Sequence, residues 1–424
     1  MERQRNPSIV RAMIQRRRLI IGTLGTAASV AAVGGSSPST ASASSAVASN
    51  PVGCSGKSIA PPAAPVQLSL TPATRAKGVS PAEPVVVTVN GGALQSVSVT
   101  TGKTKVSGSV QADGTWRSTD DLAYGKTYKV TASATDSLGA RTEKTSTFTT
   151  LKPHTVAKIT FQANAMSSLK TGHTYGAGQP VIIAFSHAVH KAAAEKAIHI
   201  TTSPAVEGKF YWASSKIVHW RPSKYWAKGT TIKVNVNALG VNLGQGVYGA
   251  TNATTHFTIG RQLIAVNDNR THRTKVYVDG KLVRTMKCSN GRGGYTTGAN
   301  GQSIHFWTQG GPHVVLFKER WHSMSSASYG VSDPSNPYYY APENVGYCTR
   351  ITFSGEFLHA APWNHSLGEA NLSHGCINLS VSDAKWVFEN FLIGDVVEVN
   401  HSPKHLPIWD GLGDWAVSFD KYGR

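Results

Sequence analysis

His359-Ala-Ala-Pro-Trp363 and Ser373-His-Gly-Cys-Ile-Asn378, with residues 360–372 between His359 and Ser373, put two histidines, a cysteine and an asparagine where one turn can gather them. Cysteine is a strong soft nucleophile only as the thiolate, and a free pKa near ~8.5 leaves little of it ionised at neutral pH. A neighbouring histidine can take the proton, and a third group must hold that imidazole in the right tautomer. Gly375, directly before Cys376, lets the backbone turn its N–H groups toward a developing oxyanion. The pattern assigns Cys376 as nucleophile and His359 as base. Two blander readings fit the same residues. One is an inert cysteine buried on an apolar strand. The other is a zinc site from His359, His374 and Cys376, although H-x-C is not the usual ligand spacing and no fourth ligand is evident. His365 and Glu369, in the intervening loop, read as solvated residues or part of a lid.

Ser-His-Gly-Cys-Ile-Asn with a histidine upstream resembles the signature of the L,D-transpeptidase catalytic domain of the YkuD type. His359-Ala-Ala-Pro-Trp363 is similar to the H-S-A-P-W of mycobacterial members, and Leu406-Pro-Ile-Trp-Asp-Gly-Leu-Gly-Asp-Trp415 resembles their C-terminal segment. The likeness runs from about residue 80 to the end. It implies an acyltransferase of peptidoglycan and cell-wall biogenesis, acting in cell shape, that needs no cofactor or metal and is acylated by carbapenems. In such an enzyme Cys376 attacks the third residue of a donor tetrapeptide stem and expels the terminal D-alanine. The thioester then passes to the side-chain amine of an acceptor stem as a 3→3 cross-link.

The resemblance also distributes roles. Ala360 stands where mycobacterial members often have Ser, so its backbone carbonyl is the group expected to orient His359. The N–H groups of His374, Gly375 and Cys376, with Tyr339, form the implied oxyanion side. Met324 and Tyr339 fall on the lid, with Tyr340 one position away. Ser354, Gly355, Asn378, Ser373 and Trp363 make up the substrate-binding set. Two other functions stay open: an L,D-carboxypeptidase, in which water resolves the same thioester, and a non-catalytic wall-binding protein.

At 424 residues the chain is long enough for two to four domains. Forty-one Gly, 20 Pro and 15% charged residues suit β-rich, loop-rich modules. The fold class expected is mainly β: two immunoglobulin-like sandwiches, then a β-rich catalytic domain with one or two short helices. Lys and Arg exceed Asp and Glu by 19, which implies a polyanionic neighbourhood. The basic residues are scattered without a nucleic-acid motif, so anionic envelope polymers are the expected partners rather than nucleic acid.

Arg16-Arg-Arg18 before the apolar run Leu19–Val33 reads as an export signal or signal anchor, with Ala41-Ser-Ala43 as a cleavage site. This implies the bacterial cell envelope, with membrane contact only through the N-terminus. Twin-arginine and Sec export both fit. Pro51-Val-Gly-Cys54 weakly resembles a lipidation site. With Cys376 kept free, Cys288 and Cys348 can pair in an oxidising compartment, and two unconnected thiols is the competing reading.

In chain order, 1–43 is the signal, and 44–66 a Ser/Ala/Pro-rich tether. Residues 67–151 carry short alternating strands at Val85–Val89, Ser96–Thr100, Tyr128–Ala134 and Thr142–Thr150, the spacing of an immunoglobulin-like sandwich. A second such module spans 152–260, with strands at Val181–Phe185, Ile217–Trp220 and Thr231–Val236 and a helical insert at Lys191–Ala197. The catalytic domain, 261–400, opens with a strand at Gln262–Val266 and a hairpin across Asp279-Gly280. Further strands are expected at Val314–Phe317 and Arg350–Phe353. The long loop Trp321–Tyr340 reads as a lid. A helix capped by Ser380, burying Ala384, Val387, Phe388 and Phe391, is ended by Gly394. Residues 401–424, with Trp409 and Trp415, are expected to pack against the catalytic domain or the module before it.

Overall fold

The computed structural model describes residues 65–341 and 344–424. The export signal, its cleavage site, most of the tether and Cys54 lie outside the described residues. Among the described residues strands dominate, with two helices, Lys191–Ala197 and Val381–Asn390, and two short 3-10 turns.

The first module is two four-stranded sheets face to face. One runs Gln67–Thr71, Val86–Asn90, Trp116–Ser118, Gly108–Val110; the other Thr104–Lys105, Ala93–Thr101, Thr127–Thr135, Arg141–Thr149. Period-two alternation builds the core: Tyr128, Val130, Ala132 and Ala134 point inward from one strand and meet Val85, Val87 and Phe148. Each buried Val or Phe contributes roughly 1.5–3 kcal/mol before entropy is counted. The second module pairs a five-stranded sheet with a four-stranded one around Phe185, Trp220, Trp226 and Phe257.

The catalytic module is a nine-stranded sheet in the order Gly311–Val314, Val396–Asn400, Leu263–Asp268, Arg273–Val278, Lys281–Ser289, Ile377–Leu379, Phe357–Ala360, Val345–Arg350, Phe317–His322. Its two edge strands are separated in the chain by only Val315 and Leu316. Val315 N–H donates to Asp395 on one side of this seam, and Leu316 N–H to Arg350 on the other. One short stretch of chain therefore ends one edge strand and begins the other, passing from the Val396–Asn400 side of the sheet to the Val345–Arg350 side. The single strand expected at Val314–Phe317 is divided by that seam. The one expected at Arg350–Phe353 lies earlier, at Val345–Arg350, because Arg350 turns its guanidinium back onto the Thr352 and Phe353 carbonyls.

The helix Val381–Asn390 begins as its cap signals, with Ser380 Oγ accepting from Asp383 N–H at 3.1 Å and Arg284 holding the Asp383 carboxylate. It ends at Asn390, ahead of Gly394, where Phe391 turns extended and is wholly buried. Ala384 and Val387 pack with Leu358, Ala360 and Ile377, so the helix backs the strands that carry the candidate nucleophile and base.

The second sandwich meets the catalytic module through short backbone bonds. Gly176 N–H donates to Ile393 and Gly178 N–H to Gly394. A Cβ on Gly176 would lie 2.1 Å from Asp395 N, so only glycine permits this approach. The C-terminal segment packs on both. Asp414 accepts from His219 at 2.9 Å and from the Tyr422 hydroxyl at 2.5 Å, Trp415 Nε1–H donates to Gly178, and Arg221 lies over the Tyr422 ring.

The expected pairing of Cys288 with Cys348 does not occur; both are free and buried. Cys288 sits on Lys281–Ser289 and Cys348 on Val345–Arg350, with two strands between. At about 4.8 Å per strand step that is about 14 Å, twice the reach of a disulfide.

Candidate active site

Strand Phe357–Ala360 runs parallel to Ile377–Leu379, with His359 opposite Asn378. Cys376 immediately precedes the second strand, level with Phe357. By the period of two its side chain shares a face with that of His359. Both line one cavity of about 810 Å³. The sequence therefore brings base and nucleophile together by pairing adjacent strands in register, not by local proximity.

His359 is 4% exposed, and its Nδ1–H donates to the Ala360 carbonyl at 2.9 Å. That bond assigns the tautomer and leaves the Nε2 lone pair free. A side-chain hydroxyl at position 360 is not required for it. The Trp363 ring stacks on the imidazole at 6.2 Å. Burial pulls the imidazole down to about 4, with His322 assisting and the Ala360 carbonyl opposing.

Cys376 Sγ stands 3.7 Å from the Gly355 carbonyl, and the Phe357 backbone N–H faces it from the same strand end. Burial pushes the thiol up to about 12; Phe357 N–H and Arg350 act in the opposite sense, while the Glu356 carboxylate adds to the rise. Burial thus acts on both groups in the same sense, favouring the thiol over the thiolate and the neutral imidazole over the imidazolium.

Gly375 adopts φ +133, a conformation unfavourable for residues with a Cβ. Its N–H is taken by Ser373 Oγ at 3.1 Å, and Ser373 Oγ–H donates to the Cys376 carbonyl at 2.6 Å. Thr308 Oγ1–H donates to the Gly375 carbonyl at 2.7 Å. Of the three amides expected on the oxyanion side, that of Gly375 is thus committed to shaping the turn, which leaves those of His374 and Cys376.

The lid closes over this turn. Met324 packs in one buried cluster with Val345, Cys348 and Phe357, against Tyr340 and Cys376. Tyr340 lies 4.6 Å from the His374 ring and lines the cavity; Tyr339 does not. Of the two tyrosines it is Tyr340, and not the expected Tyr339, that borders the cavity. Tyr338 stacks on Phe306 at 4.4 Å, and anchoring that ring brings the residue two further on, rather than the next, over Cys376. Burial beside the Cys376 sulfur drives the Tyr340 phenol well upward. His374 contacts Arg292, and burial with that cation holds its imidazole down at about 4.

Ser354, Gly355, Ser373, Asn378 and Trp363 all border the cavity. Ser354 donates through both N–H and Oγ–H to Asp410, at 2.8 and 2.5 Å, and Gln309 donates to the same carboxylate at 2.7 Å. The C-terminal segment thereby fixes the rim on which Gly355 faces the sulfur. Asn378 Oδ1 is buried without a partner. Sequence reasoning missed Glu356, His313, Gln309 and Asp410. Only Asp410 carried a signal, as part of the quoted C-terminal segment. His365 and Glu369 do not border the cavity. Among the described residues no three His, Cys, Asp or Glu side chains gather as a metal site.

A bacterial Ig domain model matches residues 76–242, a span running across both sandwiches, and an L,D-transpeptidase catalytic domain model matches 261–399. L,D-transpeptidase 2 of Mycobacterium tuberculosis is 38% identical over 352 residues, which is 82% of this chain and 81% of that one. L,D-transpeptidase 5 of the same species is 34% identical, covering 88% of this chain and 80% of its own. A crystal structure of L,D-transpeptidase 3 of M. tuberculosis, in complex with a faropenem-derived adduct, aligns at 29% identity with a TM-score of 0.44 over 57% of this chain and 98% of that chain. With more than a third of positions identical across four-fifths of a relative's length, this chain belongs to the L,D-transpeptidase family.

Proposed function

We propose that this transpeptidase forms 3→3 peptidoglycan cross-links through a thioester on Cys376. The observation that carries the reading is the pairing of a buried histidine, tautomer assigned by the Ala360 carbonyl, with a cysteine on the adjacent strand of the same cavity. Cys376 Sγ attacks the carbonyl carbon of the donor stem's third residue as Nε2 of His359 takes the thiol proton. The oxyanion is met by the N–H groups of Cys376 and His374 and by the Tyr340 hydroxyl. The C–N bond to D-alanine breaks, and the proton on His359 leaves with that amine. The side-chain amine of a second stem then attacks the thioester, gives its proton to His359, and regenerates the thiol.

Burial favours the uncharged form of both groups, so in this reading proton transfer to His359 accompanies attack by the sulfur. The cavity has room for a branched peptide, and the lid over Cys376 shields the thioester from water. The proposed place of action is the envelope, where both stems lie; residues 1–43 are the proposed export signal, and the positive charge of the chain favours anionic wall polymers.

The test is intact-mass spectrometry of the full chain mixed with a carbapenem, beside Cys376→Ala. A single adduct lost in the variant is expected. No adduct on folded protein overturns the assignment. Tetrapeptide stems then separate the outcomes, cross-linked dimer for transfer and free tripeptide for hydrolysis.

A further inference from the structure

His313 and Glu356 meet beneath the cavity, and the reaction as derived uses neither. His313 lies on the edge strand Gly311–Val314 and is wholly buried. Glu356 directly precedes strand Phe357–Ala360, is 7% exposed, and borders the cavity. Its Oε1 accepts the backbone N–H of Gln309 at 2.8 Å, and its Oε2 stands 3.4 Å from His313 Nε2. Neither Oε2 nor Nε2 has another partner.

The proton count follows from the other ring nitrogen. His313 Nδ1 is 3.0 Å from the Gly311 carbonyl, which can only accept, so Nδ1 carries a hydrogen. A neutral imidazole beside an ionised carboxylate would then set two lone pairs against each other in a buried site. One proton between them removes that conflict. Imidazole is intrinsically the more basic of the two side-chain types, and Oε1 already accepts the Gln309 N–H as a carboxylate oxygen does.

We infer that His313 and Glu356 form a buried imidazolium–carboxylate pair that acts as a positioning pair for Cys376, setting the charge beside its sulfur and hence how readily the thiol ionises. The inference rests on Cys376 being the nucleophile. Glu356 sits between Gly355, whose carbonyl is 3.7 Å from Sγ, and Phe357, whose N–H faces it. Its carboxylate is the one acidic group bordering the cavity among the described residues. Negative charge here opposes the thiolate, and the proton on His313 offsets part of it.

The other titratable or charged groups around the sulfur come from three directions. Arg350 and Cys348 face it from strand Val345–Arg350, and Tyr329 and Tyr340 from the lid. His305, His359, His374 and Lys404 border the same cavity, with His374 in contact with Arg292. Of these Arg350 favours the thiolate and so acts against Glu356, and the His313 proton offsets part of the Glu356 charge.

The experiment measures alkylation of the full chain by iodoacetamide at pH 8, read by peptide mass at Cys376, with Cys376→Ala as background. Glu356→Gln keeps an oxygen for Gln309 N–H and offers an N–H to His313 Nε2, so it removes charge without needing the shared proton. Alkylation is expected to rise at least about threefold, since a tenfold change in thiolate accompanies each unit of pKa. His313→Gln still donates to Oε2 but holds no positive charge, and slower alkylation than wild type is expected. Melting temperatures identify any loss of fold. An unchanged rate in folded Glu356→Gln, or a His313→Gln rate at or above wild type, overturns the inference. Absence of a carbapenem adduct on the wild type would instead sink the nucleophile assignment, while the ratios between variants still report on the pair.

Discussion

The first sandwich and the cavity of the catalytic sheet are built from the same kind of strand, yet they treat buried polar atoms in opposite ways. In the sandwich the buried hydroxyls are all satisfied: Ser133 by Ser96 at 2.7 Å, Ser146 by the Pro72 carbonyl at 3.0 Å, Thr150 by the Ala123 carbonyl at 2.7 Å. Around the cavity, Asn378 Oδ1 is buried without a partner, and Glu356 Oε2 and His313 Nε2 have only each other. Each such atom costs about 1–3 kcal/mol unless something meets it. The difference teaches where this molecule spends stability. The first sandwich is an ordinary closed core, and the catalytic sheet leaves polar atoms unmet around its cavity.

The comparison breaks most cleanly with a pair of substitutions. His359→Gln should lower the rate of acylation by a carbapenem about 10²–10⁴-fold, the usual worth of a positioned general base, while the melting temperature changes little. Phe148→Ala should do the reverse. Phe148 is 1% exposed and stacks on Tyr128 at 5.5 Å, so its loss costs about 3–5 kcal/mol in the sandwich. Acylation measured below the new melting transition should be unchanged. If Phe148→Ala slowed acylation as much as His359→Gln does, the division between spacer and site would be wrong.

The legible parts of this chain follow the same division. Strands such as Val181–Phe185 and Thr231–Val236 were readable because their burial alternates or runs continuous over whole strands. The Ser380 cap was readable because its chemistry is local. The candidate nucleophile and base were readable from residue types and a family likeness, although their meeting depends on a parallel strand pairing that no spacing along the chain encodes. The seam at Val315–Leu316 was not legible, since it is set by the distant strands that pair on either side of it. Nor was the Glu356–His313 pair, whose members are 43 positions apart and lie at strands that are not neighbours in the sheet. Tyr340 was displaced by one because the lid is anchored by an aromatic stack on Phe306 rather than by a repeating pattern.

A smaller effect sharpens the contrast through pH. His359 is held neutral by burial, from an ordinary value of 6.5 down to about 4. Between those values the unfolded chain binds the proton that the folded chain refuses, so stability rises with pH across this window and is lost as pH falls through it. His374 is shifted in the same direction. From pH 7 to 4.5 the His359 shift alone should remove about 2 kcal/mol from the catalytic module. No comparable buried histidine occupies the first sandwich core. Hydrogen exchange at the two pH values should therefore show protection falling around Leu358 and Ile377 while that around Val130 and Phe148 holds. An equal loss in both would point to net charge rather than to the buried imidazole.

The smallest expected effect lies in two adjacent tyrosines. Tyr340 borders the cavity beside His374 and is the tyrosine proposed to meet the oxyanion, whereas Tyr339 is outside the cavity lining. Tyr340→Phe removes one hydrogen-bond donor from the transition state while keeping the ring that packs on Met324 and Cys376, so kcat should fall several-fold, about 1 kcal/mol, with KM little changed. Tyr339→Phe should leave both constants alone. The pair isolates the donor from the packing, since both variants keep the aromatic ring. A drop confined to Tyr339→Phe would mean the lid rearranges when a stem binds, with a different ring brought over the sulfur. A KM effect confined to Tyr340→Phe would make that hydroxyl a ground-state contact, and the oxyanion would then rest on the amides of Cys376 and His374 alone.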